Sequence, residues 1–155
     1  LGELAGSQKE QMEALNYEKD ALQIWKIVCK DQDHPGLARS LHNVGRRLRL
    51  IDKPAEGRLL EEEALAMWKR IYPGQDHVEI AICCGSLGLA FLDLKQYEMA
   101  LNLSQKALAM WKRLYPDQDH MDVALQLNNV GRVLHMSERY EEALELKHKA
   151  LELSS

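Results

Sequence analysis

"ALAMWKRIYPGQDH" occupies Ala64–His77, and "ALAMWKRLYPDQDH" occupies Ala107–His120, 43 residues later. A weaker copy, "ALQIWKIVCKDQDH", begins at Ala21, the same distance upstream. A chain that repeats itself at a fixed interval uses one structural unit several times, and each unit must bury its apolar face against its neighbours. Within each copy, apolar residues recur at three- and four-residue spacing. The pattern then breaks at a polar turn, with Pro73 or Pro116 at its start in the two stronger copies, which is how a helix ends.

The segments between the copies repeat as well. "ARSLHNVGRRLRLIDKPAEGRLLEEEAL" starts at Ala38, "AICCGSLGLAFLDLKQYEMALNLSQKAL" at Ala81 and "ALQLNNVGRVLHMSERYEEALELKHKAL" at Ala124. Each unit therefore reads as two helices and two turns, with no strand signal. Gly45, Gly88 and Gly131 recur in mid-helix, where glycine costs about 1 kcal/mol relative to alanine. A close helix crossing explains that cost, with Ala64, Ala107 and Ala150 as the small residues opposite. Leu41, Val44 and Leu48, then Leu87 and Phe91, then Leu127, Val130 and Leu134 are the expected core beside each crossing. Trp25, Trp68 and Trp111 follow the alanines at Ala21, Ala64 and Ala107 by four residues and read as packing anchors between units rather than a ligand cage.

The 155 residues suit one domain able to bury a real core without a metal or disulfide. A net charge of −4, with 46% hydrophobic and 28% charged residues, argues against nucleic acid or a membrane as a general partner. Cys29, Cys83 and Cys84 are an odd set that reads as reduced thiols of a cytoplasmic protein. Cys83 and Cys84 are expected to be small buried residues, because no histidine lies near them at ligand spacing. No run reaches the ~20 apolar residues of a membrane helix, and the N-terminus has no signal-peptide pattern. Without an initiator Met, the chain reads as a piece of something longer.

The apolar-x-x-Leu/Val-Gly-x-x-apolar spacing, followed by a Tyr and two alanines seven apart, resembles the tetratricopeptide repeat. Cys84, Leu87, Gly88, Phe91, Tyr97, Ala100 and Ala107 follow it, as do Leu127, Val130, Gly131, Leu134, Tyr140, Ala143 and Ala150. The longer unit, with its Asp-His turn and "LNN" first helix, is similar to the repeats of kinesin light chains. Departures occur at Pro54 and Gly57, and at Glu61, Ser104 and Lys147, where a large apolar residue is usual. HEAT-type repeats have a similar period, but the Gly and Ala pattern argues against them. The resemblance implies an all-α fold of antiparallel helix pairs stacked into a right-handed α-solenoid: a partial repeat over 1–33, repeats over 34–76 and 77–119, and a truncated repeat over 120–155. Gly2 falls in register with the repeated glycines, so the chain is expected to open part-way through a first helix. Beyond "ALELSS" the next unit is missing, and an exposed apolar edge that could self-associate is expected.

No catalytic constellation is present: there is no GxSxG elbow, phosphate-cradling glycine loop or HExxH. His34, His77 and His120 recur in the turns and read as helix-start residues rather than metal ligands. No cofactor and no metal is expected. The resemblance implies a peptide groove lined by the first helix of each pair: Arg39, His42, Asn43, Arg46 and Arg49; Ile82, Gly85, Ser86, Leu89 and Leu92; Leu125, Asn128, Asn129, Arg132 and His135. Arginine presents a planar fork suited to carboxylates, and asparagine both donates to and accepts from an extended backbone. A peptide bearing acidic side chains or a free C-terminus is therefore expected, contacted mainly by Asn43, Arg46, Asn129 and Arg132, with Ile82 and Leu89 taking an apolar side chain. The same arginines could instead form a solvated face paired to glutamates of a neighbouring helix. A non-enzymatic interaction scaffold, the sensing arm of a larger switch and an end-to-end spacer all fit these features.

Overall fold

The computed structural model describes residues 2–117 and 119–154, with side-chain surroundings from 7 to 152 apart from 118. Among the described residues there are six helices and no strand: α1 (Gly2–Cys29), α2 (Pro35–Leu50), α3 (Pro54–Ile71), α4 (Val78–Asp93), α5 (Tyr97–Leu114) and α6 (Met121–Ser154). α2 pairs with α3 and α4 with α5; α1 packs on α2, α3 on α4, and α5 on α6. The result is an α-solenoid in which each pair covers the apolar face of the next.

The repeated "DH" in the turns has a physical explanation. His34 Nδ1 accepts a hydrogen bond from Gly36 N at 2.9 Å, His77 Nδ1 from Glu79 N at 3.1 Å, and His120 Nδ1 from Asp122 N at 3.1 Å. Each imidazole thus satisfies a backbone donor that the start of a helix leaves free. The His77 and His120 rings also stack on Tyr72 and Tyr115, at 3.8 and 3.9 Å between centroids. The aspartates form the other half of the device, because Asp33 is bound by Arg70 and Asp76 by Arg113, each through two hydrogen bonds.

Within a pair, the chain reverses through Asp52 and Lys95, both with positive φ. Lys53 N bonds to Leu48 O at 2.8 Å, and Gln96 N to Phe91 O at 2.9 Å, the six-to-one bond that closes a helix end around a left-handed residue. Neither residue is glycine, so the packing of the two helices must hold the turn open against an unfavourable backbone conformation.

That packing is close. A Cβ on Gly57 would lie 2.5 Å from Gly45 O, and one on Gly88 would lie 2.9 Å from Ser104 Oγ. The expected partners, Ala64 and Ala107, are fully buried, but the nearest neighbours of the glycines are Gly57, Glu61, Ala100 and Ser104. The crossing point lies nearer the reversal than the alanines do. Trp25 meets Gly36 so closely that a Cβ there would fall 2.3 Å from its ring, while Trp68 and Trp111 are buried.

Two expectations fail at the ends. The segment from Met121 to Ser154 is one unbroken helix rather than a pair. Consequently Gly131 has no atom within 4 Å of its Cβ position, and Leu127 and Leu134 are exposed. The cause lies at "HMSERYEE": it has neither proline nor glycine, and no packed partner forces a left-handed residue on it, so good helix formers continue the helix. Likewise α1 is continuous from Gly2 to Cys29, without the expected reversal. The register expectation for Gly2 concerns surroundings outside the described residues.

Candidate functional site

α2, α4 and the first turns of α6 lie side by side and leave a depression of about 300 Å³ on one face of the stack. His42, Arg46 and Arg49 form one wall; Ala81, Ile82, Gly85, Ser86 and Leu89 form the floor; Asp122, Leu125, Gln126 and Asn129 form the far wall, with Trp111 beneath. Gly85 permits this narrowness, since a Cβ there would lie 2.7 Å from Gln126 Oε1.

The depression brings together His42, Arg46, Arg49, Ile82, Gly85, Ser86, Leu89, Leu125 and Asn129 from the residues expected in a groove. Arg39, Asn43, Asn128, Arg132 and His135 do not line it, although Arg132 follows Asn129 by three positions and shares its face by helical spacing. Arg39 sits 5.8 Å from the Trp68 ring and 3.5 Å from Glu79. Leu92 faces the core, 1% exposed.

The positive wall is partly neutralised. Arg49 Nη1 lies 3.6 Å from Asp93, yet its Nε is buried without a hydrogen-bond partner among the described residues. Arg46 is exposed and forms no ion pair there. Arg39 and Arg49 are thus paired to α4 acids, whereas Arg46 is open. Asp122, on the opposite wall, is a negative residue that the groove reading did not include.

His42 also belongs to a buried polar cluster. Glu61, 1% exposed, receives Ser86 Oγ at 2.8 Å and sits 2.8 Å from His42 Nδ1. Cys83 Sγ is 3.9 Å from the same nitrogen. A carboxylate taken out of water costs several kcal/mol unless paired, and these two partners supply the pairing. Burial, followed by the nearby Glu61 carboxylate, pushes the Cys83 thiol far above its ordinary range. A nucleophilic cysteine needs the opposite shift, so the Cys83–His42 contact is not an activated dyad. Sequence reasoning missed this cluster, because its members come from three helices. Only the unusual Glu61 hinted at it.

Comparison with known proteins agrees with the architecture. The tetratricopeptide repeat profile matches residues 79–155 in one form and 1–36 and 37–79 in another. The chain belongs to the tetratricopeptide repeat family, whose members generally mediate protein–protein binding as non-enzymatic scaffolds. More particularly, it is similar to kinesin light chain-like repeat proteins. One solved structure is BtubC (BKLC) from P. vanneervenii, with a TM-score of 0.74, 19% identity, and coverage of 93% of this chain and 56% of that one. Another is a Podosopora anserina protein described as a kinesin light chain with nearly identical TPR-like repeats, with a TM-score of 0.74, 19% identity, and coverage of 97% and 72%. The chain thus spans little more than half the length of the BtubC structure. No curated protein matches it significantly. Among the described residues, no helix is long and apolar enough to cross a membrane.

Proposed function

We propose that the depression between α2, α4 and α6 is the binding groove of a cytoplasmic interaction scaffold, and that it takes an extended peptide by a carboxylate. The carrying observation is that Arg46, free of any ion pair among the described residues, lines the same hollow as Arg49, Ile82 and Leu89. A guanidinium fork beside an apolar strip suits a carboxylate followed by an apolar side chain. Asp122 on the opposite wall disfavours a run of acids, so a free C-terminus or a single acidic side chain fits best. Asn129 offers both donor and acceptor to the peptide backbone, and Arg132 extends the contact along α6. An adaptor role like that of kinesin light chains is consistent with this groove.

The test is an array of peptides varying in acidity, apolar spacing and C-terminal amidation, probed with wild type and Arg46→Ala. Selective capture of carboxylate-bearing peptides that the variant loses supports the groove; capture indifferent to both changes refutes it. A second reading rests on α6, where Leu146 and Leu151 are 67% and 58% exposed. Apolar surface of this kind favours self-association, which sedimentation against concentration would reveal.

A further inference from the structure

We propose that His42, Glu61 and Cys83 form a binding site for one divalent metal ion of the zinc class behind the His42 wall of the groove. One donor atom from each residue, His42 Nδ1, a Glu61 carboxylate oxygen and Cys83 Sγ, lies within 4.8 Å of the other two. They project from α2, α3 and α4, so helix packing holds them in place. Ligands about 2.0 Å (N, O) and 2.3 Å (S) from a tetrahedral zinc stand roughly 3.3–3.5 Å from one another. The observed 2.8 Å from nitrogen to oxygen and 3.9 Å from nitrogen to sulfur bracket that spacing. A common centre requires the His42–Glu61 separation to widen and Cys83 to close in, with every donor atom already within 4.8 Å of the others.

The donor set chooses the ion. Calcium and magnesium want an all-oxygen shell, whereas a thiolate, an imidazole and a carboxylate together suit zinc or cobalt. Ser86 Oγ already holds the second carboxylate oxygen of Glu61 at 2.8 Å, the kind of outer hydrogen bond that fixes a ligand's orientation. His42 retains 12% of its side-chain exposure and lines the groove, which gives an ion a way in and leaves the fourth position toward the hollow. On binding, the Cys83 S–H gives its proton to solvent and the sulfur lone pair goes to the metal. The imidazole moves its proton to Nε2, freeing Nδ1, so one proton is released per ion.

The experiment is a titration of the metal-free chain with Co²⁺, read by the thiolate-to-cobalt charge-transfer absorption, with zinc stoichiometry measured by elemental analysis. The proposal expects one ion per chain and an absorption that Cys83→Ser and His42→Ala abolish. Cys84→Ser and Cys29→Ser retain it, and Ser86→Ala weakens binding by about tenfold. Absence of the band at saturating cobalt, or its persistence in folded Cys83→Ser, overturns the proposal. If Cys83→Ser does not fold, His42→Ala decides by the same spectrum. Peptide binding plays no part in the readout, so failure here leaves the groove proposal standing.

Discussion

Arg113 Nε lies 2.7 Å from one Asp76 carboxylate oxygen, and its Nη2 lies 2.9 Å from the other. A residue just before α4 is thereby held by the last turn of α5, one helix pair along in the chain. Asp33 and Arg70 repeat the arrangement at the α1–α2 turn, with both bonds at 2.9 Å. Each clamp fixes the turn whose histidine starts the next helix, so one sequence motif secures both the cap and the stacking of successive units.

These clamps carry a signed dependence on pH. Hydrogen bonds from the two arginines hold the Asp33 and Asp76 carboxyls below their ordinary value of 3.8. A carboxyl lowered on folding contributes stability above its unfolded pKa and loses it as pH falls through the lower folded value. Arg70→Ala/Arg113→Ala should therefore melt slightly below wild type at neutral pH, the effect being small because the pairs are solvent-exposed. The gap should close as the solution is acidified below pH 3.8 and through the lowered folded values. A gap that persists in acid would show that the arginines act through packing instead.

Glycine-to-alanine changes should have opposite signs inside the stack and at its α6 end. Gly57→Ala drives a Cβ against Gly45 O at 2.5 Å and should destabilise the chain by about 1–3 kcal/mol. Gly131→Ala meets nothing within 4 Å and should stabilise α6 by up to about 1 kcal/mol. Urea unfolding of the two variants checks both. A destabilising Gly131→Ala would mean that α6 folds back on itself in solution, as α4 and α5 do.

Thiol chemistry should separate the cysteines. Cys83 and Cys84 are buried and Cys29 is half-buried, and burial raises both of the former. Alkylation of the native protein at pH 8, followed by peptide mass spectrometry, should modify Cys29 first and leave the adjacent pair until unfolding. Equal labelling of all three would contradict the packing of α4.

Ser104 sits fully buried where its hydroxyl finds no partner among the described residues. Removing an orphan polar atom relieves a desolvation cost, so Ser104→Ala should be neutral or stabilising by about 1 kcal/mol in the same urea assay. A clear loss of stability would reveal a hydrogen bond through ordered water.

The helix pairs were legible in the sequence because a close crossing needs glycine and a stacked face needs apolar residues at helical spacing; Gly45, Gly88, Leu41 and Phe91 show both. The behaviour of α6 was not. Its residues copy those of α4 and α5 closely enough to imply a reversal, but what holds Asp52 and Lys95 in a left-handed conformation is tertiary packing, and no local pattern encodes it. At the candidate groove, the stripe of His42, Arg46 and Arg49 was implied by the resemblance to the tetratricopeptide repeat. The approach of Asp122 and Gln126, and the meeting of His42 with Glu61 and Cys83, depend on how three helices settle against one another. Spacing within a single helix carries no record of that.

Carboxylate recognition in the hollow between α2, α4 and α6 is the proposal on which the function rests. The most direct measurement is fluorescence anisotropy with one array-selected peptide, prepared as free acid and as C-terminal amide, against wild type and Arg46→Glu. Tight binding of the acid, weakened by about tenfold or more on amidation and lost in Arg46→Glu, is the predicted result, since a charge-assisted bidentate contact contributes on that scale. Equal affinity for acid and amide, unchanged by Arg46→Glu, would rule out carboxylate recognition in this hollow and place the binding surface elsewhere on the solenoid.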